Sequence, residues 1–526
     1  MDQRLITDEF EKMTVAAWEN SIAKPSRISR MHYCLLVFGA LGAVVNFPEG
    51  YSNSYPNTSY KSFQKMINDS YIKRGDGNGL SPTLYIWVWS AILNVWFIGY
   101  LLGTFVTPYF TENHGRRKTL LGSNVIALLG SLLSFLSVCL CVPELFFVSR
   151  LIGSFSSGMS FGALILFLQE ATPTEYRGIT SLLSENTFVA TTMMGIGFGM
   201  DAVFGKNLPV LTGISIIPAV ISIILVIPLK ETPKFLLLNR QDRKLAMESL
   251  TFYRGDAIDS DAILDEMLLE VDNSGRPQQS ILRSIGTVLR EPHLRTPFFI
   301  GCLSLQVVIG IWSIIYLSTD MLALHFSAEV AQMASLVFIA GNFVAGMGGM
   351  FIIERFGRRP LVLWLGVFNT ISLAMFVVFD QLTALYNPMK WGTIVALIFF
   401  GITYGVGLGP IAFFITSELV VQQHRSLVQS MVFAVNTLAN FVFTFATLPA
   451  YTAIQSWAFI PLFIVPSSLS LIYLYFNMPE TVGREVHDIV EELMARTNKQ
   501  KVSATKDIAP IYFCDIDPRK TKEDII

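Results

Sequence analysis

Apolar runs of about 20 residues recur along the whole of this chain, each long enough to cross the hydrocarbon of a bilayer as a helix. Hydropathy picks out runs near 32–52, 86–108, 119–140, 144–168, 178–202 and 208–229. A second set lies near 297–318, 328–353, 361–381, 389–416, 427–450 and 455–477. Composition agrees, because 52% of the 526 residues are apolar and only 15% are charged, too few for a water-soluble surface. The expectation is an all-α membrane protein with twelve spanning helices in two six-helix bundles. The predicted divisions are a tail at 1–31, a bundle at 32–230, a linker at 231–296, a second bundle at 297–478 and a tail at 479–526.

The linker contains "AILDEMLLEVDN" and "SILRSIGTVLR", which mix apolar and charged residues at helical spacing and predict short amphipathic helices. The first 30 residues are polar and mixed in charge, with no cleavable signal visible, so the first apolar run is expected to direct insertion. Of the five cysteines, Cys34, Cys139, Cys141 and Cys302 lie in apolar runs and Cys514 near the C-terminus. Their spacing suggests neither a metal site nor a disulfide framework.

Basic residues choose the orientation. Arg116, Arg117 and Lys118 follow the second run, and Arg355, Arg358 and Arg359 follow the eighth. Arg177, Arg425 and the linker fall on the same side, and the positive-inside bias puts that side and both termini in the cytoplasm, with the plasma membrane as the expected location. The link 53–85 must then face outward although it carries Lys61, Lys65, Lys73 and Arg74. It also holds two glycosylation patterns, at Asn57 and Asn68, of which Asn68 stands farther from the membrane.

The chain repeats itself. "GRR" at 115–117 returns at 357–359, "EATPTEYR" (Glu170 to Arg177) matches "ELVVQQHR" (Glu418 to Arg425), and the stretch around Glu231 echoes that around Glu480. Landmarks in one order at a near-constant offset indicate two related halves. Arg116, Arg117, Arg358 and Arg359 can bridge to Glu170, Glu231, Glu418 and Glu480, since the guanidinium fork suits carboxylates. A gate on the cytoplasmic side, with Arg177, Glu354 and Arg425 included, is one reading of these groups, and simple topology setting is the other.

The motifs resemble those of the sugar transporter family of the major facilitator superfamily, and within it the facilitative glucose transporters. "RLIGSFSSGMSFGALILFLQEATPTEYRG" is similar to the family's fourth-helix signature, with Arg150, Gly153, Glu170 and Arg177 in place, and "ETPKFLL", "ERFGRRPL" (which includes Glu354), "GLGPIAFFITSEL" and "PETVGR" follow in family order. The resemblance implies a sugar site between the halves, with Gln306, Asn342, Asn436 and Asn440 as substrate contacts. Each is a neutral amide in an apolar run, able to donate to and accept from hydroxyls. Bonding between helices is the bland alternative.

This chain departs from the family pattern at several places. Val307 replaces a glutamine, Trp312 an asparagine, Phe413 and Thr437 tryptophans, and Glu185 a glutamine, while Glu112, Pro108, Ile165 and Phe167 also differ. Trp312, Phe413 and Glu185 are therefore added to the candidate contacts. A mid-helix carboxylate costs roughly 2.5–3.5 kcal/mol on insertion. Glu185 is read as a substrate contact, as a proton-coupling group, as a partner for the buried charge of Arg150, or as a hydrated group nearer the cytoplasm. Proton-driven relatives carry an aspartate after Gly-Tyr in the first helix, where this chain has Ser52, which favours downhill transport. No nucleotide loop, catalytic triad or metal cluster is visible, so the polar groups describe a binding site and not a reaction centre. The expected function is alternating-access transport of a hexose or related polyhydroxy solute, with a proton symporter or a transporter-like nutrient sensor as alternatives. No cofactor, nucleic acid or obligate oligomer is expected, and the partners are the solute and membrane lipid.

Overall fold

The computed structural model describes residues 27–76, 79–172, 177–254, 260–272, 281–420, 422–481, 484 and 489–494. The first half is built from α1 (Arg27–Thr58), a short α2 (Tyr60–Tyr71), α3 (Pro82–His114), α4 (Arg116–Leu140), α5 (Pro143–Ala171), α6 (Arg177–Phe198) and α7 (Leu208–Val226). Four short helices follow: α8 (Pro233–Leu238), α9 (Arg243–Arg254), α10 (Ser260–Asp272) and α11 (Ile281–Arg290). The second half comprises α12 (Pro292–Leu322), α13 (Ala328–Phe356), α14 (Arg358–Thr383), α15 (Asn387–Leu419), α16 (Gln422–Ile454) and α17 (Ile460–Asn477).

Among the described residues, 10 helical segments are long and apolar enough to cross a membrane. Helices α1 and α6, packed along each other, complete six in each half. In the first half α5 packs against both α3 and α4, and in the second α15 packs against α13 and α14. The halves meet along three helix pairs, α1 with α12, α3 with α16, and α6 with α13. One end of the bundle carries Arg116 and Arg358 and is called here the basic end. The other carries the C-terminal end of α1 and is called the distal end.

The first apolar run stops at about 52, yet α1 continues to Thr58 through Pro48 and Pro56. A proline inside a helix frees the carbonyl four residues earlier. Here Pro56 frees Ser52 O, and Arg150 Nη1 donates to that oxygen at 2.9 Å. Two later spans are broken near their middles. α12 loosens around Val308, and α15 departs from helical geometry at Gly407.

The short helices α8–α10 share a small apolar core of Leu237, Ala246, Leu250, Leu264 and Met267. Arg243 ties α9 to α10 through Asp261 and Asp265, both at 2.7 Å. The hydrogen bonds it donates to Asp265 and then to Asp261 raise its guanidinium above the ordinary arginine value. Tyr253 anchors the group to the first half. Its ring meets Phe38 of α1 and Phe167 of α5, and its hydroxyl donates to Lys230 O at 2.6 Å.

Candidate functional site: a seam between two halves

The GRR repeat is a device for starting a helix. Gly115 and Gly357 have φ of 98° and 86° with ψ of 164° and 154°, a backbone region that is essentially reserved for glycine. A side chain at Gly115 would also stand 2.4 Å from Glu231 Oε2, and one at Gly357 2.8 Å from Glu480 Oε2. The glycines therefore let a distant carboxylate reach the first amides of the next helix. Arg117 N donates to Glu231 Oε1 at 2.9 Å. Arg358 N and Arg359 N donate to Glu480 Oε1 and Oε2 at 2.9 and 3.2 Å. Each glutamate thus caps a helix whose N-cap residue has no side chain, and its charge opposes the positive end of the helix dipole.

The arginine side chains complete the cluster. Arg116 Nη2 and Nε both reach Glu170 Oε1, at 2.8 and 3.1 Å, while Thr232 Oγ1 donates to Glu170 Oε2. In the second half Arg358 Nη2 lies 3.5 Å from Glu418 Oε1, and Thr481 Oγ1 donates to Glu418 Oε2. Arg117 and Arg359 turn outward onto carbonyls of their own half, at Val226 and Tyr475. Each of these contacts stays within one half. The described contacts of these arginines and glutamates therefore brace the basic end of each bundle. Arg425 is half-buried at the start of α16. The side chains of Arg177, Glu354 and Glu185 lie outside the described residues.

Among the described residues, hydrogen bonds that cross the seam gather toward the distal end. Asn57 Nδ2 donates to Ser318 Oγ at 2.8 Å, and Asn57 Oδ1 accepts from Thr319 N at 2.9 Å. Gln332 Nε2 donates to Thr58 O at 2.9 Å, and its Oε1 accepts from Asp201 N at 3.1 Å. Tyr60 bonds Asp320 across the same seam, and burial, then the Asp320 charge, push the Tyr60 hydroxyl above its ordinary value. One turn deeper the Tyr316 hydroxyl donates to Asn53 Oδ1 at 3.1 Å. Asn53 Oδ1 also accepts from Arg150 Nη2 at 3.2 Å.

Arg150 is buried, at 3% exposure. Its charge is met by the carbonyls of Ser52, Ile92 and Leu93 and by the face of Trp96 at 5.4 Å. The sequence offered Glu185 as its partner, a side chain that lies outside the described residues. The sequence reading also missed the stripe to which Asn53 belongs. Asn46, Glu49, Asn53 and Asn57 are all buried, and their spacing of three, four and four residues puts them on one face of α1. That period was the available signal, hidden because Asn57 reads first as a glycosylation site. Its amide is engaged with Ser318 and Thr319 in this arrangement. Asn68 is half-buried in α2 and its Oδ1 accepts from Leu80 N at 3.2 Å.

Between the halves, below this seam, runs a narrow cavity. Phe188, Val189 and Thr192 of α6 face Ile311, Trp312 and Ile315 of α12, Ile339 and Asn342 of α13, and Tyr404 of α15. The structure thus brings Trp312 and Asn342 together. Gly405 allows the close approach of α15 to Asn342, since a Cβ there would stand 2.8 Å from Asn342 Oδ1. Gln306, Asn436, Asn440 and Phe413 do not line this cavity. Phe413 packs on Phe433 at 6.0 Å inside the second half.

The second half also holds buried polar atoms without a hydrogen-bond partner: Gln306 Nε2, Asn440 Oδ1 and the hydroxyls of Ser304, Thr416 and Thr444. They sit on α12, α15 and α16, which pack together. A buried polar atom left unpaired costs about 1–3 kcal/mol. Such a set, holding both donors and acceptors, suits a hydroxyl-bearing guest.

Two half-bundles of six helices, joined by hydrogen bonds toward one end and with a narrow cavity between them, define a membrane carrier of the major facilitator type. The chain belongs to the Sugar (and other) transporter family, whose sequence profile matches residues 36–493. It is 28% identical over 462 residues to "Solute carrier family 2, facilitated glucose transporter member 1" of Gallus gallus, covering 86% of this chain and 92% of that one. It is 26% identical over 491 residues to "Solute carrier family 2, facilitated glucose transporter member 7" of Homo sapiens, covering 92% and 94%. The fold matches the inward open xylose transporter XylE from E. coli with a TM-score of 0.69 at 16% identity, over 88% of this chain and 99% of that one.

Proposed function

We propose that this chain carries a hexose or related small polyhydroxy solute down its gradient by alternating access. The carrying observation is the asymmetry of the seam. Bonds from Asn53, Asn57 and Gln332 join the halves toward the distal end, while the Arg–Glu clusters at the basic end each close on their own half. The arrangement corresponds to a carrier closed toward one aqueous side. With the basic end in the cytoplasm, as the positive-inside bias implies, it faces inward. The plasma membrane, two cytoplasmic termini and glycosylation at Asn68 belong to the same reading.

In this scheme the unpaired donors and acceptors at Gln306, Asn440, Ser304, Thr416 and Thr444 receive solute hydroxyls. Weak binding is required, because a millimolar site is worth about 4 kcal/mol and still releases its cargo. A second reading, proton coupling, draws support from Glu49, a carboxylate at 8% exposure in the α1 stripe. Glu185 belongs to that reading from sequence.

Uptake of a panel of radiolabelled sugars and polyols into proteoliposomes, with and without a pH gradient, tests both. The expected result is saturable uptake indifferent to the gradient. Uptake that follows the gradient, and loses that response in Glu49→Gln or Glu185→Gln, would replace downhill transport by symport. An inert protein across the whole panel would remove the transport reading.

A further inference from the structure

We infer that Ser90 and Asn94 of α3 form a counter-latch: buried without partners while the distal end is closed, they bias the carrier toward opening and offset the bonds of Asn57, Gln332 and Tyr316. This rests on the alternating-access reading above and concerns the balance between its two states.

Trp87, Ser90, Asn94 and Phe97 are spaced by three, four and three residues, which puts them on one face of α3. Both ends of that stripe touch the second half. Trp87 meets Phe445 of α16 at 5.8 Å. Phe97 meets Trp312 and Tyr316 of α12 at 5.8 and 6.3 Å. Ser90 and Asn94 lie between these two contacts and face the same seam. The opposite face of α3 belongs to the first half, where Gly99 and Gly103 let it close onto Leu151 and Phe155 of α5.

Ser90 is 1% exposed and Asn94 2%. Among the described residues, Ser90 Oγ and Asn94 Oδ1 have no hydrogen-bond partner. The Asn94 amide nitrogen is turned onto its own helix, where it donates to Ser90 O at 2.8 Å. Across the seam, Thr444 precedes Phe445 on α16. It is 2% exposed, and its hydroxyl is unpaired as well. Such side chains commonly bond between membrane helices, yet here three of them enter a closed interface with hydrogen bonds unmade.

Parting the distal end gives water or solute access to this strip. A polar group that is unpaired in one state and paired in the other favours the second by its desolvation cost. Asn57, Gln332 and Tyr316 act in the opposite sense, because their bonds are made only while the seam is closed. A solute shifts a two-state equilibrium only by its differential affinity for the two states. A weakly bound solute therefore cannot drive a carrier that is deeply trapped in one of them, and opposed terms at the same seam keep the two states close.

Full-length protein in proteoliposomes, carrying one engineered cysteine at the distal mouth, would be labelled from the distal side. The set is wild type, Asn94→Leu, Asn94→Asp, Ser90→Ala and, as reference, Asn57→Ala. Asn94→Leu keeps the branched shape and removes the polar atoms, and Ser90 O keeps its helical amide partner. It should slow labelling about fivefold, and Ser90→Ala should slow it in the same direction. Asn94→Asp should speed labelling, because closure would then bury a carboxylate. Opposite signs at one position separate the counter-latch from a packing defect, which would move both variants the same way. Labelling in Asn94→Leu equal to or faster than wild type, with Asn57→Ala faster than wild type, would overturn the counter-latch while leaving alternating access standing. It would mean that the Asn94 amide is already paired in the closed seam. If no variant alters labelling, Asn57→Ala included, the distal end does not open and both readings fall. If Asn94→Leu does not fold, Ser90→Ala decides: labelling at or above the wild-type rate overturns the counter-latch.

Discussion

The Tyr316 hydroxyl of the second half donates to Asn53 Oδ1 of the first half at 3.1 Å, on the same oxygen that accepts from buried Arg150. A single amide oxygen thus joins the interior of one bundle to the moving face of the other. Opening at the distal end must break the Tyr316 bond, and Asn53 can keep the arginine as it does so. Tyr316→Phe is expected to favour opening at that end by about 1 kcal/mol, a factor of about five in the populations. Labelling of a cysteine placed at the distal mouth reads this directly, and unchanged labelling would count against the bond as a latch.

Asn57 carries two bonds across the seam and Gln332 two more. Asn57→Ala leaves Ser318 Oγ and Thr319 N to find other partners, and it should favour distal opening more strongly than Tyr316→Phe, by about 2–3 kcal/mol. Gln332→Leu should act in the same direction. The same cysteine assay ranks the three variants. Asn57→Ala ranking below Tyr316→Phe would show that the weight of the seam lies deeper.

At the basic end the glycines and the glutamates should fail together. Gly115→Ala and Gly357→Ala force an L residue into a glycine-only region and drive a methyl onto a carboxylate. Each is expected to cost about 1–3 kcal/mol, seen as a lower unfolding temperature in detergent. Glu231→Gln and Glu480→Gln, which keep shape and remove charge from the helix start, should cost about 1 kcal/mol. Similar losses at the paired positions would reflect the duplicated design, and a loss in one half only would break the equivalence.

Arg116 and Glu170 are only 13% and 10% exposed, so removing one partner leaves a poorly solvated charge. Arg116→Ala is expected to destabilise the first half by about 3 kcal/mol. Arg358→Ala, acting on a longer and more exposed pair, should do less to stability. It should loosen the basic end of the second half, raising reactivity of an engineered cysteine there. No change in reactivity would mean that Arg358 only sets topology.

Much of the fold was legible because a bilayer imposes a length and a polarity on whatever crosses it. The twelve runs, the amphipathic linker and the duplicated GRR and glutamate landmarks all follow from patterns in one dimension. The ends of α1 were not legible. Asn53 and Asn57 lower the hydropathy of the run, yet they lie inside the protein, where their side-chain oxygens accept hydrogen bonds from α12. Trp312 and Asn342 were singled out from sequence and share a cavity wall. The stripe from Asn46 to Asn57 and the staple at Gln332 were missed, because nothing along the chain says which apolar neighbour will face them.

The sequence by itself determined that this is a membrane-spanning, internally duplicated bundle with basic turns at matching places, since hydrophobic length and charge asymmetry act locally. Only the tertiary structure decided which groups pair. The arginines close on their own halves, while asparagine, tyrosine and glutamine side chains join the halves at the opposite end. A hydrogen bond works over about 3 Å, so its partner is fixed by the packing of helices hundreds of residues apart, which no local pattern records.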